Sequence, residues 1–412
     1  MKLSVIGLGK LGLCTACCLA RAGYEVVGMD IRDAYVEGLR QGQIPFHEAG
    51  LDVLLAEVKG NLHLTTDMAE AVERTDAALI IVPTPSTEDG SFSNEYLVRV
   101  FEGLAPALKA KDSFFVVDVV STVMPLSSDK ELIPLLEELS GKQMGKDIGY
   151  AYNPEFIAIG SVIQNFLNPD LVLIGESDSR TGSLMQEVYE KTCDNTPVIC
   201  RTSVVNAEIA KLSINCYCTM KISFANNLSL LCENIPGADA HEIAALIGND
   251  TRIGTKYIRP GLGFGGPCFP RDNEAFIRCA DLAGTKAPIQ ESVVAVNNSM
   301  VDVLVERIHK AVLAPDGVVA LLGLSYKPET YLTERSQSLD IARELTRRYP
   351  RLTVRVHDPM AKENGPWEQT ETVAQCVEGA HVAAILTPWK EYMEVSWAQG
   401  MAAGSVVVNC WT

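Results

Sequence analysis

The chain has 412 residues, 47% of them apolar and 21% charged, with a formal net charge of −17 at pH 7. That length supports two or three domains with cores of their own, and the composition is ordinary for a globular protein. The acidic balance excludes nucleic acid as a general partner, because no basic surplus exists to neutralise phosphates; a small anionic substrate in a local basic pocket remains compatible.

Twelve cysteines lie mostly inside apolar helical patterns. None pairs with histidines at zinc spacing, so neither a disulfide framework nor a metal site is expected. The chain enters an apolar strand within its first residues, with no room for a signal peptide, and no 18-residue apolar run follows. The expectation is a cytoplasmic protein without a membrane partner.

In chain order, apolar runs over 2–6, 25–29, 77–82, 114–119, 149–151 and 170–174 alternate with helical stretches. Such alternation predicts parallel βαβ units covered by helices on both faces. The first of these units carries Gly7-Leu8-Gly9-Lys10-Leu11-Gly12 between strand and helix, and Asp30 ends the next strand 18 residues after Gly12. This is the dinucleotide fingerprint: Gly7 permits the tight turn, Gly9 admits a pyrophosphate, and Gly12 allows close helix–strand packing. Helix-start amides, including those of Lys10 and Leu11, face the anion. Asp30 is expected to accept the ribose hydroxyls and repel a 2′-phosphate, favouring NAD over NADP; Arg32 weakens that preference. Pro83-Thr84-Pro85 and Ser121-Thr122 follow the ends of two later strands, where ligands of parallel sheets gather.

Residues 201–235 read as one long helix, with Ile209, Leu212, Cys216, Met220, Phe224 and Leu228 at three- and four-residue spacing. Its length suits a spine between domains and its apolar breadth suits a dimer contact. Helical segments continue to about 314, interrupted by Gly263-Phe264-Gly265-Gly266-Pro267-Cys268-Phe269-Pro270-Arg271-Asp272. There, glycines let the backbone crowd a ligand beside a cysteine, and a carboxylate follows four residues later; Cys268 is a candidate nucleophile and Asp272 a candidate water or proton holder. After the turn at Pro315-Asp316-Gly317, a second βαβ unit runs from Val318 through Gly323 to a strand ending at Asp358. It lacks the glycine fingerprint, so a Rossmann-like lobe that cradles no pyrophosphate is expected. The division is 1–200, 201–314 and 315–412: α/β, with two Rossmann-like domains joined by a long central helix and a helical dimerisation region.

Nine collinear stretches give this pattern specificity. They are the glycine loop with Asp30, Val82-Pro83-Thr84-Pro85, Ser121-Thr122-Val123, Asn153-Pro154-Glu155-Phe156 and Phe166-Leu167-Asn168-Pro169. Beyond these come Ala207-Glu208-Ile209-Ala210-Lys211, Arg252-Ile253-Gly254, the Cys268 loop, and Gly323-Leu324-Ser325-Tyr326-Lys327-Pro328. Together they resemble the UDP-glucose/GDP-mannose dehydrogenase family over essentially the whole chain. The resemblance implies a homodimeric enzyme that oxidises a sugar C6 alcohol to a carboxylate, using two NAD per turnover, with Cys268 carrying a thiohemiacetal and then a thioester. It implies that Lys211 and Asn215, one turn apart on the long helix, stabilise oxyanions. By the same resemblance Asp272 and Thr122 position water, and Glu155 serves thioester hydrolysis. Arg252 is implied to reach the neighbouring subunit's sugar, Tyr257, Phe156, Phe264 and Gly265 to enclose the sugar, Lys327 to border the nucleotide, and Arg335 to contact the cofactor.

Several positions depart from the family pattern. Ile159 stands where many members carry a second acid, Tyr331-Leu332 replaces an acidic pair, Pro267 replaces a serine, and the end 406–412 lacks an Asp-Gly-Arg stretch. These departures bear on substrate identity, for which UDP-glucose is the leading expectation and GDP-mannose or a UDP-N-acetylhexosamine the alternatives. Two other classes are a two-electron 3-hydroxyacid-type dehydrogenase, which needs no Cys268, and a non-catalytic sugar-nucleotide sensor.

Overall fold

The computed structural model describes residues 1–157 and 160–411; Ile159 lies outside the described residues. Two compact units, Met1–Lys211 and Leu212–Thr412, make up the chain.

The first unit is built on β1 (Leu3–Ile6), β2 (Val26–Met29), β3 (Leu62–Thr65), β4 (Ala77–Ile80), β5 (Phe115–Val119), β6 (Ile148–Tyr152), β7 (Leu171–Glu176) and β8 (Val198–Ser203). They form one sheet in the order β3-β2-β1-β4-β5-β6-β7-β8. The central strands are buried along their whole length, as expected of a parallel sheet covered on both faces. One apolar layer seats the helix Lys10–Arg21 and the helix Ser179–Thr192 on the sheet; the other seats the helix Glu95–Ala110.

All six expected strands are present, within a few residues at each end. Strands β3 and β8 escape the sequence reading for different reasons. The first is four residues of mixed polarity, and the second is a largely solvated edge whose Arg201 is held by Glu176 at 2.7 Å. Residues 201–203 therefore complete a strand, and the long helix begins later than expected, at Val204, running to Cys232. A second correction concerns direction, since β6 and β7 pair antiparallel while the other pairs of this sheet are parallel.

The second unit takes up the remainder of that helix, which at 29 residues is about 43 Å long. The helices Ala240–Gly248, Phe269–Leu282 and Pro288–Ala311 follow, then β9 (Val318–Leu322), β10 (Thr353–His357), β11 (Glu368–Gln369), β12 (Val382–Ile385) and β13 (Val406–Asn409). The second sheet is parallel throughout, in the order β11-β10-β9-β12-β13. Its core packs Leu304, Val305 and Ile308 of one helix and Leu339, Ile341 and Leu345 of the helix Gln337–Arg348 against β9, β10 and β12.

The two sheets repeat one local device. Each first strand ends in a glycine with positive φ, Gly7 at 93° and Gly323 at 111°, and each second strand is followed by an aspartate. Asp30 accepts the amide of Leu8 at 3.0 Å, and Asp358 accepts that of Leu324 at 2.8 Å. Asp358 goes further, accepting from Ser325 N, Ser325 Oγ, Met360 N and Ala361 N at 2.8–3.0 Å. A carboxylate already occupies the loop amides of the second sheet. No described helix is long and apolar enough to cross a membrane.

Candidate active site

The glycine loop of the first unit is shaped for close approach. A Cβ on Gly12 would lie 1.8 Å from the Gly7 carbonyl oxygen, and one on Gly7 would lie 2.2 Å from that of Ile81. Gly9, by contrast, faces open space and sits at the N-cap of the helix Lys10–Arg21. Beside it opens a cavity of about 590 Å³ lined by Gly7, Gly9, Lys10, Leu11, Gly12, Asp30, Arg32 and Pro83, among others. Helix-start amides, a bare loop and a carboxylate at the end of β2 fit a dinucleotide, with pyrophosphate at Gly9 and adenosine ribose at Asp30.

Burial alone would raise the Asp30 carboxyl; hydrogen bonds from Arg32 and the Leu8 amide outweigh it and hold the group below the usual carboxylate range. The loops after β4 and β5 are stitched together near this cavity. Ser121 Oγ accepts from Val82 N at 2.9 Å and donates to Val82 O at 2.7 Å, and Thr84 Oγ1 donates to Thr122 O at 2.6 Å. Thr84 and Ser121 are buried, and Pro85 O accepts from Ser93 N.

A second group in the same unit gathers around Glu155. Lys211, 7% exposed, donates from Nζ to the Glu155 carbonyl at 2.6 Å and lies 4.8 Å from the Phe156 ring centroid. The Tyr189 hydroxyl donates to Glu155 Oε1 at 3.3 Å. Some of Glu155 remains accessible to solvent, yet the protein crowding its carboxyl pushes it up to about 7, against the downward pull of Tyr189 and Lys211. Glu155 and Phe156 both lie outside the helices. Asp118, in the middle of β5, adds to this environment. It is fully buried, neither of its oxygens has a hydrogen-bond partner, and burial with the Glu155 charge raises its carboxyl well above the usual range.

The expected nucleophile belongs to the second unit. Cys268 is exposed and forms the N-cap of the helix Phe269–Leu282, so an anion there meets the positive end of the helix dipole. One turn on, Asp272 is 5% exposed and accepts from Asn215 Nδ2 at 2.6 Å. The glycine approach to Cys268 is fixed on three sides. Gly263 N donates to Gln337 Oε1 at 2.7 Å, Phe264 N donates to Asn297 Oδ1 at 2.7 Å, and Gly266 N donates to Glu334 O at 3.0 Å. A Cβ on Gly265 would lie 2.3 Å from the Arg335 carbonyl oxygen, and one on Gly266 would lie 2.6 Å from the Tyr326 ring.

Phe264 and Tyr257 each set an edge against Phe269, at 6.3 and 6.1 Å. Burial, then the nearby Cys268, pushes the Tyr326 phenol up to about 12. Lys327 Nζ lies 5.9 Å from the Tyr326 ring centroid, and Arg335, in the left-handed region at φ 49°, pairs with Glu274 at 2.5 Å. Arg252 stands apart, its side chain 87% exposed and bidentate on Asp250.

The expected residues thus assemble as a cofactor cavity, a Glu155–Phe156–Lys211 group, and a Cys268 loop with Asn215, Asp272 and Arg335 about it. Sequence reasoning missed Tyr189, Asn297 and Gln337 and gave Tyr326 no role of its own, because the groups they meet lie far along the chain. It also gave no role to Glu208, which is buried and accepts from Leu126 N at 2.7 Å and Ser128 N at 3.0 Å, fixing the turn in which Leu126 takes a φ of 72°. Among the described residues no group of His, Cys, Asp and Glu could hold a metal ion.

Comparison with known proteins identifies the family. The NAD-binding, central and UDP-binding domain descriptions of the UDP-glucose/GDP-mannose dehydrogenase family match residues 1–193, 205–299 and 320–412. The UDP-glucose 6-dehydrogenase of Haloferax volcanii is 34% identical over 95% of this chain and 92% of its own length. The GDP-mannose 6-dehydrogenase of Pseudomonas putida is 35% identical over 84% of this chain and 78% of its own. A UDP-glucose dehydrogenase structure from Pyrobaculum islandicum superposes with a TM-score of 0.89 at 33% identity, covering 100% of this chain and 94% of the other. The chain belongs to the UDP-glucose/GDP-mannose dehydrogenase family and is an NAD-dependent nucleotide-sugar dehydrogenase.

Proposed function

We propose that the protein oxidises the C6 hydroxymethyl group of UDP-glucose to the carboxylate, with Cys268 as covalent carrier. The observation that carries this reading is an exposed thiol at a helix N-terminus, one turn from a buried Asp272 held by Asn215. UDP-glucose is favoured over GDP-mannose because the relative named for UDP-glucose aligns over 95% of this chain and the one named for GDP-mannose over 84%.

In the first oxidation the C6–H bond breaks as hydride leaves, the hydroxyl proton passes to water held at Asp272, and the Lys211 ammonium stabilises the developing oxyanion. An NAD held at Gly9 and Asp30 would supply the hydride acceptor, a fresh one for each of the two oxidations. The Cys268 thiolate then adds to the aldehyde carbon, making an S–C bond as the C=O π bond breaks, and the oxygen takes a proton back from the water at Asp272 to become a hydroxyl. This thiohemiacetal again offers a C–H bond next to oxygen, and loss of that hydride together with the hydroxyl proton, passed to the water at Asp272, leaves a thioester. Water, giving its proton to Glu155, attacks that carbonyl; the S–C bond breaks and the thiolate returns. One alcohol, two NAD⁺ and one water thus yield one carboxylate, two NADH and three protons. Asn215 supplies a donor to the oxyanions, and such a preorganised donor contributes about 3–4 kcal/mol. Thr122 helps position the water.

The reading extends to assembly. The long helix leaves Tyr217, Phe224 and Leu231 exposed at seven-residue spacing, an apolar stripe suited to a second copy of the chain. Arg252, with its side chain in solvent, is suited to reach that copy's substrate. The three-part division assigns NAD to residues 1–200, dimer contacts and the thiol to 201–314, and the nucleotide of the substrate to 315–412, in the cytoplasm. The test is NADH yield per mole across UDP-glucose, GDP-mannose and UDP-N-acetylhexosamines. Two NADH per UDP-glucose with the others poorly used is expected; preferential use of another sugar nucleotide would replace UDP-glucose as the substrate.

A further inference from the structure

An unused hydrogen-bond donor stands beside the thiol loop. Among the described residues the hydroxyl of Tyr326 makes no hydrogen bond, although the residue is half-buried. Tyrosines withdrawn from solvent ordinarily find a partner for that group, so an idle one next to a reactive cysteine points to a ligand.

The chain fixes where this phenol goes. β9 ends at Leu322, Gly323 turns the backbone at φ 111°, and Asp358 then accepts from the amides of Leu324 and Ser325 and from Ser325 Oγ at 2.8–3.0 Å. Leu324 and Ser325 are fully buried, so Tyr326 leaves the sheet from a held backbone, and its own amide donates to Leu332 O at 3.2 Å. Its ring comes down on Gly266, two residues before Cys268. A Cβ on Gly266 would lie 2.6 Å from Cε2, 2.7 Å from Cδ2 and 3.0 Å from Cζ, the carbon that bears the hydroxyl. The loop is kept against the ring by Gly266 N, which donates to Glu334 O at 3.0 Å.

Burial, and then the charge of Cys268, pushes the phenol up to about 12. At neutral pH the group therefore keeps its proton; it can donate a hydrogen bond and cannot serve as a base. When a thiolate adds to an aldehyde, or water to a thioester, the C=O π pair moves onto the oxygen of the carbon that bears the sulfur. A fixed neutral donor at that oxygen lowers both barriers without any change in its own protonation.

We propose that the Tyr326 hydroxyl is a catalytic donor to this oxygen, acting only in the steps that make or break the bond to Cys268 and not in the first hydride transfer. The proposal rests on the reading of Cys268 as covalent carrier. In thiohemiacetal formation the S–C bond forms, the π pair becomes an oxyanion held by Tyr326, and the proton that completes the hydroxyl comes from the water at Asp272. In hydrolysis the water oxygen bonds to the thioester carbon, the same donor holds the oxyanion, and its collapse breaks the S–C bond and returns the thiolate. Tyr326 keeps its own proton throughout.

The test uses the full-length protein and the 6-aldehyde of UDP-glucose. Two rates are compared: oxidation of the aldehyde with NAD⁺, which needs the S–C bond, and its reduction to the alcohol with NADH, which does not. Tyr326→Phe keeps the ring on Gly266 and removes only the donor. It should slow the oxidation about 100- to 1,000-fold, the range for one oxyanion donor, and leave the reduction within about 3-fold, which also reports a folded site. Oxidation by Tyr326→Phe within about 3-fold of the wild type would overturn the proposal. Equal loss of both rates would overturn it too, reducing Tyr326 to a structural support of the loop. Cys268→Ala separates this from the reading beneath it: aldehyde oxidation that survives that substitution removes the covalent carrier itself. A Cys268→Ala enzyme confined to reduction, beside an unimpaired Tyr326→Phe, removes the donor alone.

Discussion

Asn215 donates its side-chain amide to the buried carboxylate of Asp272 at 2.6 Å, tying the long helix Val204–Cys232 to the helix that Cys268 begins. The bond orients the amide and keeps the carboxylate an acceptor. Asn215→Ala should lower kcat about 100- to 1,000-fold, the range for losing one preorganised oxyanion donor, with a smaller change in KM. Steady-state rates decide this; a loss confined to KM would remove Asn215 from the chemical steps.

Glu155 gives the reaction a pH signature. Its carboxyl is pushed up to about 7, chiefly by burial, and only the ionised form can take a proton from water. Thioester hydrolysis should therefore accelerate as pH rises through about 7 and level off above it. Single-turnover release of the carboxylate product should show this limb in the wild type and lose it in Glu155→Gln. A limb that survives the substitution belongs to another group.

Asp118 should act on stability. Its folded-state carboxyl lies above its unfolded value, so the native state binds the proton more tightly. The stabilisation is complete below the ordinary carboxylate range and declines as pH rises through the window above it. Asp118→Val, in a strand buried on both sides, should be more stable than the wild type by about 1–3 kcal/mol at pH 8, since it removes a polar group without partners. The gain should shrink near pH 4. Denaturant melts at the two pH values test this, and a destabilised variant at pH 8 would show that Asp118 has a favourable role.

Arg252 tests assembly. Arg252→Ala should raise KM strongly with little cost in stability, because its side chain is 87% exposed and paired with Asp250 within its own loop. If Arg252 serves the neighbouring subunit, mixing Arg252→Ala and Cys268→Ala chains under subunit exchange should restore two-NADH turnover at a substrate concentration well below the KM of Arg252→Ala, at sites that receive both native residues. Absence of recovery despite demonstrated exchange places Arg252 in its own subunit's site.

Much of this was legible in the sequence because its cause is local. The loop from Gly7 to Gly12 and Asp30 are tied to a strand–turn–helix unit whose sterics dictate residue types, and in the structure a Cβ on Gly12 or Gly7 would fall 1.8 or 2.2 Å from a carbonyl oxygen. Cys268 stood out through its glycines for the same reason. What escaped depends on residues far apart in the chain. Gln337 and Asn297 hold the thiol loop from 74 and 33 residues away, and neither lies in a pattern that marks it. Arg201 read as the start of a helix because the Glu176 that makes it part of an edge strand comes from β7. The antiparallel turn of β7 against β6 has no periodic signature, since either direction buries the same alternation of side chains.

The central claim is that one sulfur carries the sugar between two oxidations. NADH formed per mole of UDP-glucose consumed, compared between the wild type and Cys268→Ala, tests it most directly. The account predicts two for the wild type and no more than one for the variant, which can release an aldehyde but cannot form the thioester. A yield of two from Cys268→Ala would contradict it.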